Sequence, residues 1–149
     1  MKVLVQRVLQ ARCEVLNAPV VEIDEGLLLY VSFREGDQAN LVTKMAHKVA
    51  HLRIFSDAQG KLNLSVLDHS AAILAISQFT LEADTRKGHR PSFQNALEPS
   101  SANALFELFI EALKTHVKVV KKGYFQEHMN IVSNNDGPVT VLLESRDAS

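Results

Sequence analysis

The sequence predicts a single strand-rich α/β (α+β) domain with two long helices packed on its sheets. Three observations carry this. Apolar residues alternate or run together in many short segments. In two longer segments the apolar period changes to three or four residues. No composition shift marks a linker along the 149 residues, a usual length for one domain covering 1–149.

The elements follow in order. "KVLVQRVLQA" alternates Val3, Val5 and Arg7 with Leu4, Gln6 and Val8, a strand with one more apolar face. "PVVEI" and "GLLLYVSF" are further strands, the second apolar on nearly every residue and so expected to be buried on both faces. "DQANLVTKMAHKVAHLR" spaces Leu41, Met45, Val49 and Leu52 as a helix, with Asp37 as a candidate N-cap. "IFSDAQGKLNLS" puts a turn between two short extended pieces, and "AAILAISQFTL" is an apolar strand ending in polar residues. "ADTRKGHRPSFQNALEPSS" has loop composition. "ANALFELFIEALKTHV" is the second helix, with Leu105, Phe106, Phe109, Leu113 and Val117 on one side. "VKVVKKGYF", "MNIVS" and "PVTVLLES" close the chain as strands.

Composition excludes several functions. Apolar content is 46% and net charge is −1, with a pI of about 6.6. No general basic field is available to hold a long nucleic acid, although a short end could be gripped locally. One cysteine, Cys13, cannot form an intrachain disulfide; a buried apolar role in a reducing compartment is expected. "MKVLVQRVLQ" interrupts its apolar residues with Gln6 and Arg7, unlike a signal peptide. No apolar run is long enough to suggest a membrane span.

The common catalytic signatures are missing: no G-x-S-x-G elbow, no phosphate loop, no dinucleotide fingerprint, no C-x-x-C. "HKVAH" sets His47 and His51 on one helix face, a spacing that can bind metal, but Lys48 stands where a hydrolytic zinc helix needs Glu. They are expected to be surface or packing residues, and no metal is assigned to the site. "DTRKGHRPSF" gathers Arg86, Lys87, His89 and Arg90 around Gly88. This is either a solvated loop or a local phosphate grip, and a non-catalytic nucleic-acid-binding module would use it. "SQFTL" ends a strand in Ser77, Gln78, Phe79 and Thr80, but no neighbour in sequence is an obvious base to activate the Thr80 hydroxyl.

"NDGPVT", 135–140, reads first as a turn. Two features point further. Gly137 can adopt backbone conformations closed to other residues. The bond before Pro138 can be cis at only about 0.5–1 kcal/mol.

In combination, "SQFTL" and "NDGPVT" at this order and separation resemble the D-aminoacyl-tRNA deacylase family. "QRV" at 6–8, "LRIFSDAQGKLNLSV" at 52–66 and "ADTRKGHRPSF" at 83–93 extend the likeness over nearly the whole chain. The resemblance implies a barrel-like core and a cytoplasmic, homodimeric, cofactor-free esterase. Such enzymes proofread chirality by cleaving D-amino acids, and misattached glycine, from the 3′-terminal adenosine of tRNA. It implies that Phe79 and Thr80 supply catalytic backbone groups. Ser77 and Gln78 would line the pocket, and Phe125 and Met129 would lie near the adenosine. Gly137 and Pro138, joined by a cis bond and steadied by Arg7, would enter the partner's pocket. One departure stands out: Gln126, Glu127 and His128 are bulkier and more polar than the small residues the family usually places after Phe125.

Overall fold

Strand β1 (Lys2–Glu14) is the axis of the molecule, because three other strands pair with it. The computed structural model describes residues 1–145. The remaining strands are β2 (Val21–Ile23), β3 (Gly26–Ser32), β4 (Phe55–Ser56), β5 (Leu62–Leu64), β6 (Ala72–Ser77), β7 (Val120–Lys122) and β8 (Asn130–Glu144). Helix α1 is Ala39–Ala50 and α2 is Pro99–Lys114. A short 3-10 turn covers Phe79–Glu82.

Strands β2, β3 and β8 all run antiparallel to β1, while β3, β6 and β7 are mutually parallel, in the order β2-β1-β3-β6-β7. Parallel neighbours need a crossover. The chain supplies α1 between β3 and β6, and α2 between β6 and β7. The two ends of the strand order come back together: Lys121 Nζ on β7 donates to the Glu22 carbonyl on β2 at 2.7 Å. The sheet is therefore curled into a barrel-like core, in the α/β class expected. The pair β4–β5 forms a separate small hairpin.

The uninterrupted apolar run of β3 is explained by burial on both faces. Leu27, Leu29 and Val31 pack with Val3, Val5 and the apolar sides of α1 and α2, including Val42, Met45, Phe106 and Phe109. Leu28 faces a second core with Val8, Ala11, Cys13, Leu74 and Ile76. Cys13 is fully buried as expected, and burial raises its thiol pKa, which suits a packing role.

Some boundaries differ from expectation. The β6 strand stops at Ser77, where the chain winds into the 3-10 turn. "MNIVS" and "PVTVLLES" belong to one strand, β8. Gln38, not Asp37, is the N-cap residue of α1. The Asp37 carboxylate instead lies 2.6 Å from the Met1 ammonium and accepts from the Arg34 N–H at 2.8 Å. Helix α2 starts earlier than its apolar period suggests. The Glu98 carboxylate accepts from the Ser100 and Ser101 N–H groups at 3.0 and 2.7 Å, and Pro99 follows in the first turn. The Ser101 and Ser100 side chains, together with those N–H donors, hold Glu98 down at a pKa of about 2.

Candidate functional site

Parallel strands expose polar backbone at their carboxyl ends, the usual ligand position in α/β sheets. Here β3 and β6 end side by side, with Val31 opposite Ser77. A cleft of about 680 Å³ opens at that point, lined by Ser77, Gln78 and Phe79, by Phe93 and Leu97, and by the segment Phe125–Met129. This volume suits a small ligand or one nucleotide unit.

The Gln78 N–H donates to the Val31 carbonyl at 2.7 Å, which extends the strand pairing one residue past β6. The chain then turns. Leu81 N–H reaches the Gln78 carbonyl at 3.3 Å and Ala83 N–H the Thr80 carbonyl at 3.1 Å. The first N–H groups of such a turn have no internal acceptor. Those of Phe79 and Thr80 find none among the described residues. The Thr80 hydroxyl accepts from Gln78 Nε2, and no His, Asp or Glu among the described residues hydrogen-bonds to it. The Phe79 ring is 58% exposed at the cleft mouth and meets Phe93 edge to face at 5.2 Å.

A buried polar group holds this turn from below. Glu82 is 6% exposed. It accepts from Ser32 Oγ at 2.5 Å, and Lys2 Nζ lies 3.5 Å from its other oxygen. Lys2 also donates to the Leu81 carbonyl at 2.7 Å. Ser32→Ala would leave a buried carboxylate oxygen without its donor. A loss of about 1–3 kcal/mol is expected, measured by urea unfolding.

The opposite wall of the cleft is built by packing. Phe125 is half-buried, 6.2 Å from the ring of Phe106, and Met129 packs on the second core. Between them Gln126 takes a positive φ of 60°. Gln126, Glu127 and His128 are exposed on the rim.

"NDGPVT" folds in a way that neither a turn nor a plain strand describes. Gln6 pairs with Thr140 and Val8 with Asn135. Residues 136–139 therefore stand opposite Arg7 alone, as a wide bulge in β8. A second, smaller bulge at Leu9 of β1 follows, since Gln10 pairs with Asn134. Asn135 closes the neck of the wide bulge: its Nδ2 donates to the carbonyls of Arg7 and Val139, both at 3.0 Å. Arg7 fills the base. One guanidinium nitrogen donates to the Ile54 carbonyl at 2.9 Å. Nε lies 3.0 Å from Asp136 Oδ2, an ion pair by distance whose N–H is not aimed at the oxygen. Gly137 has φ +124°, the Gly137–Pro138 bond is cis, and both residues are exposed.

The residues marked out in the sequence thus gather in two places. Ser77, Gln78, Phe79, Phe125 and Met129 surround the cleft, with Thr80 next on the turn. Arg7, Gly137 and Pro138 share the bulge. Arg7 pairs with Leu27 on β3, four residues before Val31. At about 3.3 Å per residue and 4.8 Å between strands, the bulge and cleft of one chain lie on the order of 20 Å apart. Phe93, Leu97 and Glu82 belong to the site region but carry no sequence signal of their own. Contact across the fold places them there.

Fold and cleft together define an α/β domain with a ligand-sized cleft at the end of a parallel strand pair, beside a turn whose first N–H groups have no acceptor among the described residues. A family model described as D-Tyr-tRNA(Tyr) deacylase matches residues 4–144. A D-aminoacyl-tRNA deacylase of Thermomicrobium roseum is 47% identical over 147 residues, covering 99% of this chain and 96% of that protein. The chain belongs to the D-aminoacyl-tRNA deacylase family. The solved structure of a protein named c-Myc DNA Unwinding Element Binding Protein superposes with a TM-score of 0.90 at 35% identity, covering 97% of this chain and 98% of that one. Another, of a probable eukaryotic D-amino acid tRNA deacylase, has a TM-score of 0.83 at 16% identity over 95% and 97% of the two chains, and shares the fold. Among the described residues, no helix is long and apolar enough to cross a membrane.

Proposed function

We propose that this protein hydrolyses the ester linking a D-amino acid, or misattached glycine, to the 3′-terminal adenosine of tRNA. The observation that carries this is the pair of open N–H groups, Phe79 and Thr80, on the turn that leads out of a nucleotide-sized cleft in a chain of this family.

An aminoacyl ester is already activated. Water adds to the carbonyl carbon and gives its proton to solvent. The neighbouring ribose hydroxyl assists, the bond from the carbonyl carbon to the ribose oxygen breaks, and that oxygen takes up a proton. The amino acid leaves as a carboxylate. The Phe79 and Thr80 N–H groups stabilise the tetrahedral oxyanion, each such donor being worth about 2.7–4 kcal/mol in other enzymes. The Thr80 hydroxyl is bonded by Gln78, and no base among the described residues hydrogen-bonds to it, which argues against a covalent nucleophile. Thr80→Ala is therefore expected to keep kcat within about tenfold of wild type. Loss of nearly all turnover in a folded variant would favour covalent catalysis instead.

Selection between mirror images works by a clash that only one of them meets. The backbone of Gly137 and Pro138 provides a wall of that kind, since main chain cannot change rotamer. In one chain it lies too far from the cleft, so the reading requires a homodimer in which each bulge enters the partner's cleft. L residues of any size are excluded and glycine passes. The protein is proposed to work in the cytoplasm, where charged tRNA is used. The test is release of amino acid from matched D- and L-aminoacyl-tRNA. Release of the D form with the L form spared is expected; equal release, or none, overturns the reading.

A second reading is a nucleic-acid-binding module using the loop 86–90, supported by the 35% identical structure, whose protein is named for binding a DNA unwinding element. Lys87, His89 and Arg90 are exposed there. Arg86 is already engaged by Asp84, with Nε 2.9 Å from Oδ1, and that guanidinium holds the Asp84 carboxyl at a pKa of about 2. Salt-dependent binding to duplex DNA, lost in Lys87→Ala/Arg90→Ala and unaccompanied by turnover, would favour this reading.

A further inference from the structure

Away from the cleft, three histidines meet at the surface where the two helices end. His51 is the C-cap residue of α1, with His47 one turn before it. His116 follows Thr115, the C-cap of α2. The ring centroids are 4.0 Å apart for His47–His51, 5.3 Å for His47–His116 and 5.5 Å for His51–His116. All three side chains are exposed. The sequence shows only the first pair, because His116 is far away along the chain.

We propose that His47, His51 and His116 form a binding site for a single late transition-metal dication, such as Zn²⁺, that staples the C-terminal ends of α1 and α2 together. Three imidazoles on a tetrahedral ion, with metal–nitrogen bonds of about 2.0–2.1 Å, place their ring centroids about 5.2 Å apart. Two of the three separations already match. The stacked pair His47–His51 must open by roughly 1 Å for its nitrogens to converge; as they stand, no three such groups among the described residues meet on a metal position. Exposed side chains on a helix surface make that change by rotation alone.

Two further features favour a cation here. The His51 Nδ1 lies 2.8 Å from the His47 carbonyl. Donating there leaves Nε2 free to bind, the arrangement that ordinarily orients metal-binding histidines. Both helices also direct their negative dipole ends at this spot. Lys48 is exposed; its ammonium can swing into solvent, where salt screens it. A fourth position remains for water. The site lacks the Glu that would make a hydrolytic zinc helix, so its role is structural.

The test is a Zn²⁺ titration of the full chain by calorimetry and thermal unfolding, with Mg²⁺ as control. Saturable binding of one Zn²⁺ per chain is expected, with Tm raised by about 5–10 °C at a hundredfold excess over Kd. Affinity should fall at least tenfold in His116→Ala and, separately, in His47→Ala, with circular dichroism unchanged and amino-acid release from D-aminoacyl-tRNA unaffected. No saturable Zn²⁺ binding, or equal binding by the His116→Ala variant, overturns the proposal.

Discussion

Gly137→Ala is expected to lower kcat/KM on D-aminoacyl-tRNA by about a hundredfold while leaving the protein folded. A Cβ at this position would come within 2.8 Å of Val139 Cγ2 and 2.9 Å of the Val139 main-chain nitrogen, with Arg7 at 3.3 Å. The φ of +124° is itself closed to alanine. The bulge must therefore shift. Its neck is closed by the Asn135 hydrogen bonds, so the movement stays within 136–139 and the strand pairing on either side survives. A shift of about 1 Å at a substrate-contacting wall commonly costs on the order of a hundredfold in rate. Because the wall belongs to the partner's site in the proposed dimer, mixing the variant with a cleft-disabled chain separates the two roles. Activity unchanged in Gly137→Ala would show that the bulge does not touch substrate.

Gly26→Ala acts on the fold itself and is the most damaging single substitution expected. The added Cβ would sit 2.0 Å from the Ala72 carbonyl oxygen and 2.8 Å from its carbon. Those atoms are main chain in the first residue pair of β3 and β6, so no rotamer change relieves the contact. Either the strands separate at that end, or β3 shifts along β1. Overpacking in well-packed interiors costs about 1–3 kcal/mol and occasionally more; a backbone collision this close belongs at or beyond the upper end. The expected result is a large loss of soluble protein and a fall in the urea midpoint. The cleft, which rests on the other end of the same two strands, should lose activity in proportion to the folded fraction.

How far the sequence speaks can be judged from particular elements. The period-two pattern of β1 and the period of α1 and α2 come from which face is buried, and burial is written directly in residue type. The start of α2 is harder to read. It depends on the Glu98 carboxylate turning back onto two N–H groups, and apolar spacing carries no trace of that. The end of β6 escapes the same spacing for a related reason. Leu81 looks like the next strand residue, but the Ser32–Glu82 bond and Lys2 pull the segment into a 3-10 turn. Those partners come from β1 and β3, far away in the chain. Thr80 is visible as a hydroxyl at a strand end, whereas the open N–H groups beside it exist only because the chain turns.

The sequence by itself determined the class of the domain, its two helices, the burial of Cys13 and the two motifs that place it in its family. These follow from residue type and short-range spacing, which act through burial and local backbone preference. Tertiary structure alone decided that "NDGPVT" is a four-residue bulge opposite Arg7, that it lies far from the cleft of its own chain, and that His116 joins His47 and His51. Each of those depends on strand register or helix packing. Register and packing are set by contacts between distant segments, and no local stretch of sequence encodes them.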